Sequence, residues 1–436
     1  MPAPPEGDPW DTLRSLPFGQ HLEITDERGV RWSGTVIPPH DLSSPRTLTL
    51  KLETGYNVGL RVGPSAAFRL LEGPRAAGLP AAPPPGARAA PHGGVEILTT
   101  GGTIASRVDY ETGGVRPVSD EADILAFYPD LASSGEVRIT PVLDVLSENI
   151  TPADWIGLAG KVVEAFGRGA EGVVIAHGTD TMGFTAAGLS FLLTDLPGPV
   201  VLVGAQRSPD RPSSDGPSNL YAAVRVARDR RIGEVVVVMH EGPSDDRFAI
   251  HRGTWVRKMH SSRRDAFESR NGPPLGTIDA KDVHLLPTVR APSAGPPRVD
   301  GPLDGRGALL TFYPGLPASR ARAFAEGMRG IVLAGTGLGH VAAEHFSWIR
   351  EASARGVVVA MTTQCLEGIV DPYVYATGRD LLRAGVVYLD DLLPETAYAK
   401  LLWSLGHAST PDGVRELLLR DRAGEFHRRR PLEATP

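Results

Sequence analysis

Apolar and polar positions along the chain follow two different periods, and the change of period divides it. Between residues 17 and 72 the alternation is short. His21–Thr25, Arg31–Ile37, Thr47–Leu52 and Val58–Val62 alternate apolar and polar side chains, with glycine and proline between the runs. A period of two belongs to half-buried strands, and several short runs broken by turn residues predict a small all-β, barrel-like domain over residues 1–75. The stretch Glu72–Gly94, EGPRAAGLPAAPPPGARAAPHGG, has no periodic apolar positions. Its alanine, proline and glycine predict a semi-stiff linker, placed at residues 76–94, with a domain boundary near residue 90.

Beyond the linker, unbroken apolar runs alternate with segments of helical period. The strand candidates are Val95–Thr99, Gly172–Ala176, Val200–Val203, Val235–Met239, Gly330–Ala334 and Gly356–Ala360. Helical stretches between them include Ala153–Arg168, Thr185–Leu193, Asn219–Asp229 and Ala318–Met328. Strands without alternation are buried on both faces, and helices joining them predict a parallel α/β sheet. A second proline- and glycine-rich segment, Pro287–Gly307, separates the first four strands from the last two. The expected organisation is therefore two parallel-sheet α/β domains, residues 95–290 and 305–436, preceded by the small β domain.

Composition narrows the class of protein. The chain has 436 residues, 41% of them hydrophobic and 22% charged, which is the balance of a soluble globular protein. The longest apolar runs fall far below the ~20 residues of a membrane span, so no membrane is expected. Met1–Gly7 is proline-rich and acidic, with no basic-then-apolar start, which predicts no signal peptide and a cytoplasmic location. Cys365 is the only cysteine, which excludes an intramolecular disulfide framework and a multi-cysteine zinc site; it is read as a buried small side chain. His177, His251, His260 and His340 have no metal-ligand spacing and are read as structural. A net charge of −6 argues against the whole molecule being a nucleic-acid binder by itself. Only five lysines are present, at 51, 161, 258, 281 and 400, so a lysine beside other reactive groups stands out.

In open parallel α/β sheets ligands sit beyond the carboxyl ends of the strands. The polar motifs fall at those ends. VEILTT runs into Gly101–Gly102–Thr103–Ile104, GVVIA into His177–Gly178–Thr179–Asp180–Thr181, and PVVLVGA into Gln206–Arg207–Ser208 and then Ser214–Asp215–Gly216–Pro217. Glycines before Thr103 allow a tight turn, and their N–H groups are suited to an oxyanion hole. A threonine hydroxyl is a weak nucleophile until a neighbouring base takes its proton, and Thr179, Asp180 and a lysine form a plausible relay. Taken singly, each motif also fits an ordinary structural part: a strand-to-helix turn at Gly101–Thr103, a helix cap at Thr179–Asp180, a turn at Asp215–Gly216. Their joint occurrence in this order at successive strand ends is hard to explain by packing.

That order and wording resemble the bacterial-type L-asparaginase family, which reads TGGTI, then HGTDT, then DGP-N; here these are Thr100–Ile104, His177–Thr181 and Asp215–Asn219. The resemblance covers about residues 95–436. It implies an asparaginase-like two-domain fold, Thr103 as first nucleophile, and a second triad of Thr179, Asp180 and a lysine. The family's lysine is followed by a polar stretch, Phe, Asn and Pro-Leu-Gly, matched by Lys258, Phe267, Asn271 and Pro274–Gly276. The alternative for Lys258 is an exposed charge on a basic loop. The resemblance also implies substrate contacts from Ser147, Glu148, Gly102 and Gly178, with Tyr110 as flap tyrosine. Glu148 departs from the family's glutamine, and Tyr110 follows Thr103 more closely than in secreted members.

The runs TTGGTIASRVDYETGGV, AQRSPDRPSSDGPSNL, RKMHSSRRDAFESRN and TTQCLEGIVDPYVYATGRDLL, with the added N-terminal β domain, look like the GatD family, the D subunits of archaeal-type Glu-tRNA(Gln) amidotransferases. That resemblance implies a glutaminase that hydrolyses glutamine or asparagine and passes ammonia to the E subunit of the same enzyme. It implies no cofactor in this chain, with ATP and magnesium in the partner, and Glu-tRNA(Gln) contacted mainly through that partner. A homodimer within a heterotetramer is the expected assembly. The competing readings are a free-standing asparaginase, which the extra β domain argues against, and a scaffold protein that has lost catalysis, which the intact motif residues argue against. A Rossmann dehydrogenase is weaker still, because GGTIAS lacks the GxGxxG spacing.

Overall fold

The computed structural model describes residues 8–37, 44–52, 57–71, 94–101, 106–108, 115–117, 137–207 and 214–427. After the short helix α1 (Pro9–Leu13), the strands β1 (His21–Thr25), β2 (Arg31–Ile37), β3 (Thr47–Leu52), β4 (Asn57–Arg61) and β5 (Ala67–Leu70) form one antiparallel sheet in the order β4-β3-β2-β1-β5. Alternate residues point into a single small core: Leu22 and Ile24 from β1, Val36 from β2, Leu48 and Leu50 from β3, with Leu13 of α1 closing it. The fifth strand, AFRL, is too short for its alternation to show in the sequence.

The next domain is built on an eight-stranded sheet. Its strands are β6 (Val95–Thr99), β9 (Val137–Pro141), β10 (Gly172–Ala176), β12 (Val200–Val203), β13 (Val235–His240), β14 (Arg247–Arg252), β17 (Gly276–Asp279) and β18 (Val283–Leu285), in the order β18-β17-β14-β13-β12-β10-β6-β9. Between them lie the small ladders β7 (Ser106–Val108) with β8 (Val115–Pro117), and β15 (Val256–Lys258) with β16 (Phe267–Ser269), while β11 (Leu193–Thr194) pairs with β19 (Arg298–Val299). The five strands β9, β6, β10, β12 and β13 are parallel; the unbroken apolar runs predict this for four of them, whereas β9, VRITP, is no such run. The other three are antiparallel. The reason is length: β14 follows β13 through Glu241–Asp246, far short of the dozen or more residues a parallel crossover needs.

Consecutive residues of each central strand serve opposite faces. Val173 and Ile175 pack with helices α2 (Pro152–Gly167) and α3 (Met182–Leu192), whereas Val174 and Ala176 pack with α4 (Gly216–Ala227). α2 starts where a capping box forms: the Asp154 carboxylate accepts from the Thr151 N–H at 2.8 Å, with Pro152 at the first helical position. α3 and α4 each begin three residues before their apolar periods suggest, directly after the polar strand-end loops.

The last domain is a four-stranded parallel sheet, β20 (Gly307–Thr311), β21 (Gly330–Gly335), β22 (Val358–Thr363) and β23 (Val387–Tyr388), in chain order, with helices α5 (Ala318–Phe324), α6 (Phe346–Ala354), α7 (Ala376–Arg383), α8 (Pro394–His407) and α9 (Pro411–Leu419). Helix α8 joins the two large domains. Ala399, Leu402 and Trp403 enter the core of the eight-stranded sheet, and Ala397, Leu401 and Leu405 that of the four-stranded one. Cys365, read from sequence as buried, is exposed. The chain leaves the sheet after Thr363, whose hydroxyl accepts from the Cys365 N–H at 3.0 Å. No helix among the described residues is long and apolar enough to cross a membrane.

Candidate active site

The parallel part of the large sheet reverses its order of addition at β6: β9 lies on one side and β10 on the other. This is a topological switch point, where loops at the carboxyl ends part and leave a crevice. The loop after β6 is tied to the next strand by Thr100, whose N–H and Oγ1 both lie 3.1 Å from Ala176 O. Gly101 follows with φ +90°, in the left-handed region that glycine enters at least cost. A Cβ there would stand 2.7 Å from Val145 O, so the two loops touch through backbone. Thr103, Gly102 and Tyr110 lie outside the described residues.

The loop after β10 carries the described chemical groups. Gly178 packs on Ser147: a Cβ at residue 178 would be 2.8 Å from that serine's Cβ. Thr181 Oγ1 donates to Ser147 O at 2.7 Å, which ties the short 3-10 turn Ser147–Asn149 to the start of α3. Ser147 is thereby buried at the site, while Glu148 beside it is exposed to solvent. His177 is fully buried below the loop and donates from Nδ1 to Gly178 O at 2.6 Å. Burial disfavours its charged form and holds it down to about 4, against the opposing bond to Gly178, so the ring is neutral near pH 7.

Lys258 reaches this loop from the hairpin inserted between β14 and β17. The β15–β16 hairpin is anchored in the core by Val256 and Phe267, and Lys258 pairs with Phe267 at the end that leads into its connecting loop. From there Nζ donates to Thr179 Oγ1 at 2.8 Å and to Asp180 Oδ1 at 2.7 Å. The lysine side chain is only 14% exposed whereas Asp180 is 70% exposed, so the ammonium is sheltered and the carboxylate faces the crevice. The alternative of an exposed loop charge does not fit that burial. Chemically, the arrangement is a hydroxyl whose oxygen accepts from an amine, with a carboxylate neutralising the amine's charge. Loss of the ammonium proton would make the same nitrogen a base for Thr179.

The Asp215–Asn219 segment supports the site without entering it. The Asp215 carboxylate is buried and accepts from the N–H groups of Gln206, at 3.0 and 3.1 Å, and Arg207, at 2.9 Å. Asn219 Nδ2 donates to Asp215 Oδ2 and to Gly204 O, each at 3.0 Å. Gly204 in turn lies against Thr179, since a Cβ there would be 2.7 Å from the threonine methyl. Sequence reasoning missed His240, which ends β13 and bonds Asn219 Oδ1 through Nδ1 at 2.7 Å. The signal was present, because His240 is a polar residue at the carboxyl end of a parallel strand. Among the described residues no cluster of three or more metal-ligating side chains occurs.

Comparison with known proteins covers nearly the whole chain. Residues 94–290 match the family described as Asparaginase, N-terminal, and residues 308–418 the Glutaminase/Asparaginase C-terminal domain. Residues 16–71 match the GatD N-terminal domain. The D subunit of glutamyl-tRNA(Gln) amidotransferase from Saccharolobus islandicus is 41% identical, over 98% of this chain and 97% of that protein. Its namesake from Pyrococcus furiosus is 44% identical over 93% of each. Among solved structures, the thermostable L-asparaginase from Thermococcus kodakarensis superposes with a TM-score of 0.70 at 35% identity, covering 76% of this chain and 99% of that one. L-asparaginase I from Vibrio cholerae gives 0.66 at 30% identity, covering 78% and 100%.

Proposed function

The chain belongs to the GatD family, the D subunits of glutamyl-tRNA(Gln) amidotransferases, and from that premise we propose that it hydrolyses the side-chain amide of glutamine, or of asparagine, to supply ammonia for converting Glu-tRNA(Gln) to Gln-tRNA(Gln). The observation that carries this reading is Lys258 Nζ, 2.8 Å from Thr179 Oγ1 and 2.7 Å from Asp180 Oδ1 at the switch point of the sheet.

In the proposed reaction Ser147, Glu148 and Asp180 hold the α-groups of the substrate, with the Gly102 and Gly178 backbone close by and Tyr110 covering the site. Thr103 Oγ1 attacks the amide carbon, backbone N–H groups hold the oxyanion, and the amide nitrogen takes a proton and leaves as ammonia. The product is an ester between the substrate acyl group and Thr103. Water, deprotonated at Thr179 and Lys258, attacks that ester; the C–O bond to Thr103 breaks and the free carboxylate leaves. Each proton-transfer or oxyanion part contributes ~10²–10⁴ in rate. No step uses a metal or cofactor of this chain. The E subunit would bind ATP and magnesium, activate glutamate on the tRNA and make most of the tRNA contacts. The proposed assembly is a homodimer within a heterotetramer, in the cytoplasm.

A free-standing asparaginase shares the chemistry. The two asparaginase structures cover 76% and 78% of the chain, and the small β domain at residues 16–71 has its own match in the GatD N-terminal domain, which favours the tRNA-dependent reading. The test is ammonia release from glutamine and asparagine by the chain alone, then with the E subunit, ATP, magnesium and Glu-tRNA(Gln). Glutamine turnover that rises sharply in the complex is expected. Fast asparagine turnover, unchanged by the partner and tRNA, would favour the plain asparaginase.

A further inference from the structure

His240 is fully buried where the loop organised by Asp215 meets the loop that follows Lys258. Its Nδ1 is 2.7 Å from Asn219 Oδ1 and its Nε2 is 2.8 Å from Asp245 Oδ1. The orientation of the Asn219 amide is fixed by its other end, because Nδ2 donates to two groups that only accept, Gly204 O and Asp215 Oδ2. Asn219 therefore turns a carbonyl oxygen to the ring, and Nδ1 is the donor. On the other side, Asp245 Oδ1 already accepts from Arg264 Nη1 at 2.9 Å, and the Ser218 hydroxyl, with one proton for two acceptors, lies 3.1 Å from it and 3.2 Å from Asp215 O. An oxygen that accepts from a guanidinium carries no proton of its own, so Nε2 donates as well. Burial works against the Asp245 charge, but the bonds from His240 and Arg264 outweigh it and hold that carboxyl below its usual range.

We propose that His240 is a buried imidazolium whose two N–H groups lock the loop after Lys258 to the loop that Asp215 organises. The inference rests on the amidohydrolase reading and deepens it. His240 is a positioning residue: it acts through Asn219, Gly204 and the Thr179 methyl on one side, and through Asp245 and Arg264, six residues beyond Lys258, on the other. Among the described residues Asp245 faces it directly with Arg264 bonded to that carboxylate, Asp215 lies behind Asn219, and Glu241 is paired with Arg247 at 2.9 Å in the same turn. The ring of Phe248 packs against the imidazole at 4.7 Å between centroids. Loss of the Nε2 proton would leave two acceptors facing each other, release Asp245 and Arg264, and let Lys258 drift from Thr179. The substrate contacts at Ser147 and Glu148 would be untouched, so turnover would fall without a matching change in KM.

The experiment uses the full chain labelled with ¹⁵N-histidine. Long-range ¹H–¹⁵N correlation reads the protonation of each ring nitrogen at pH of about 7.5, with His240→Gln identifying the signal. Both nitrogens of His240 are expected to be protonated, and only one in Asp245→Asn. Asp245→Asn and Arg264→Ala, shown to be folded by circular dichroism, are expected to lower kcat for glutamine about tenfold with KM within about twofold. If His240→Gln does not fold, the ring signal that changes in Asp245→Asn identifies the residue. A singly protonated His240 in the unsubstituted chain overturns the proposal, and so does unchanged turnover in both variants. The ring measurement needs no substrate, so a chain that hydrolyses no amide would defeat the amidohydrolase reading while leaving the protonation result to stand by itself.

Discussion

The two large domains use the same device, a parallel sheet with helices on both faces, and both end several strands in polar residues. They differ in what those residues bond. In the last domain the groups satisfy their own backbone: Thr336 Oγ1 donates to His340 O at 3.2 Å, Thr363 Oγ1 to Gly337 O at 2.6 Å, and Gln364 Nε2 to Phe312 O at 2.5 Å and Ala334 O at 2.8 Å. In the eight-stranded sheet the strand-end side chains bond one another, Lys258 to Thr179 and Asp180, with an exposed carboxylate left facing the crevice. A polar strand end is therefore a place for chemistry only where side chains pair with side chains across loops. Where they bond backbone carbonyls of their own or a neighbouring strand end they build structure.

The sharpest break of this contrast is substitution of the paired groups. Lys258→Met and Thr179→Ala are each expected to lower steady-state kcat for ammonia release by about 10²–10⁴, and the double variant should be little worse than the poorer single, because the two act as a unit. Multiplicative losses in the double variant would contradict a shared relay. Asp215 tests the support beneath it. Removing a buried carboxylate that accepts from two backbone N–H groups and Asn219 leaves donors unpaired, so Asp215→Ala should cost about 3 kcal/mol in urea unfolding. A loss under about 1 kcal/mol would show that the loop finds other partners.

Acid sharpens the contrast from another side. His177 and His251 are both held down to about 4 by burial, from an ordinary value of 6.5. The folded chain thus binds fewer protons than the unfolded chain between those values. Their stabilisation is complete above pH 6.5 and is lost as pH falls toward 4, at no more than about 1.4 kcal/mol per pH unit for each ring. His251→Gln should flatten that slope by one proton in urea unfolding at stepped pH, and an unchanged slope would place its titration elsewhere. The smallest effect belongs to the self-satisfied strand ends. Thr363→Val removes one hydroxyl donor and should cost about 1 kcal/mol, leaving the isolated chain's kcat within about twofold.

Much of this architecture is legible in the order of residues alone. Strands buried on both faces announce themselves as apolar runs, and β6, β10, β12, β13, β21 and β22 are all such runs. The antiparallel extension β14, β17 and β18 is not legible, because β14 (RFAIHR) carries arginine and histidine among its apolar residues, β17 and β18 have only four and three residues, and the direction of β14 follows from the length of a turn. At the site, the strand-end rule points to Thr179 and Asp180, and the resemblance supplies Lys258. No local pattern says that a residue 78 positions away will lie beside Asp180; that follows from the hairpin between β14 and β17 folding back along α3. The His240–Asn219 contact is hidden for the same reason, since its partners come from a strand end and a helix that meet only through the order of the sheet. Cys365 shows the limit of reading burial from residue type: its place in a turn outweighs the preference of its side chain.

The account's central claim is that the groups gathered at Thr179 and Lys258 resolve an ester formed on Thr103. The most direct test is intact-protein mass measurement of the Lys258→Met chain, within the complex, after mixing with glutamine. The account predicts that ammonia is released once per site and a glutamyl adduct accumulates on the peptide containing Thr103, with neither event in the variant that also carries Thr103→Ala. Steady turnover by Lys258→Met at the unsubstituted rate, with no adduct at any time, would contradict it.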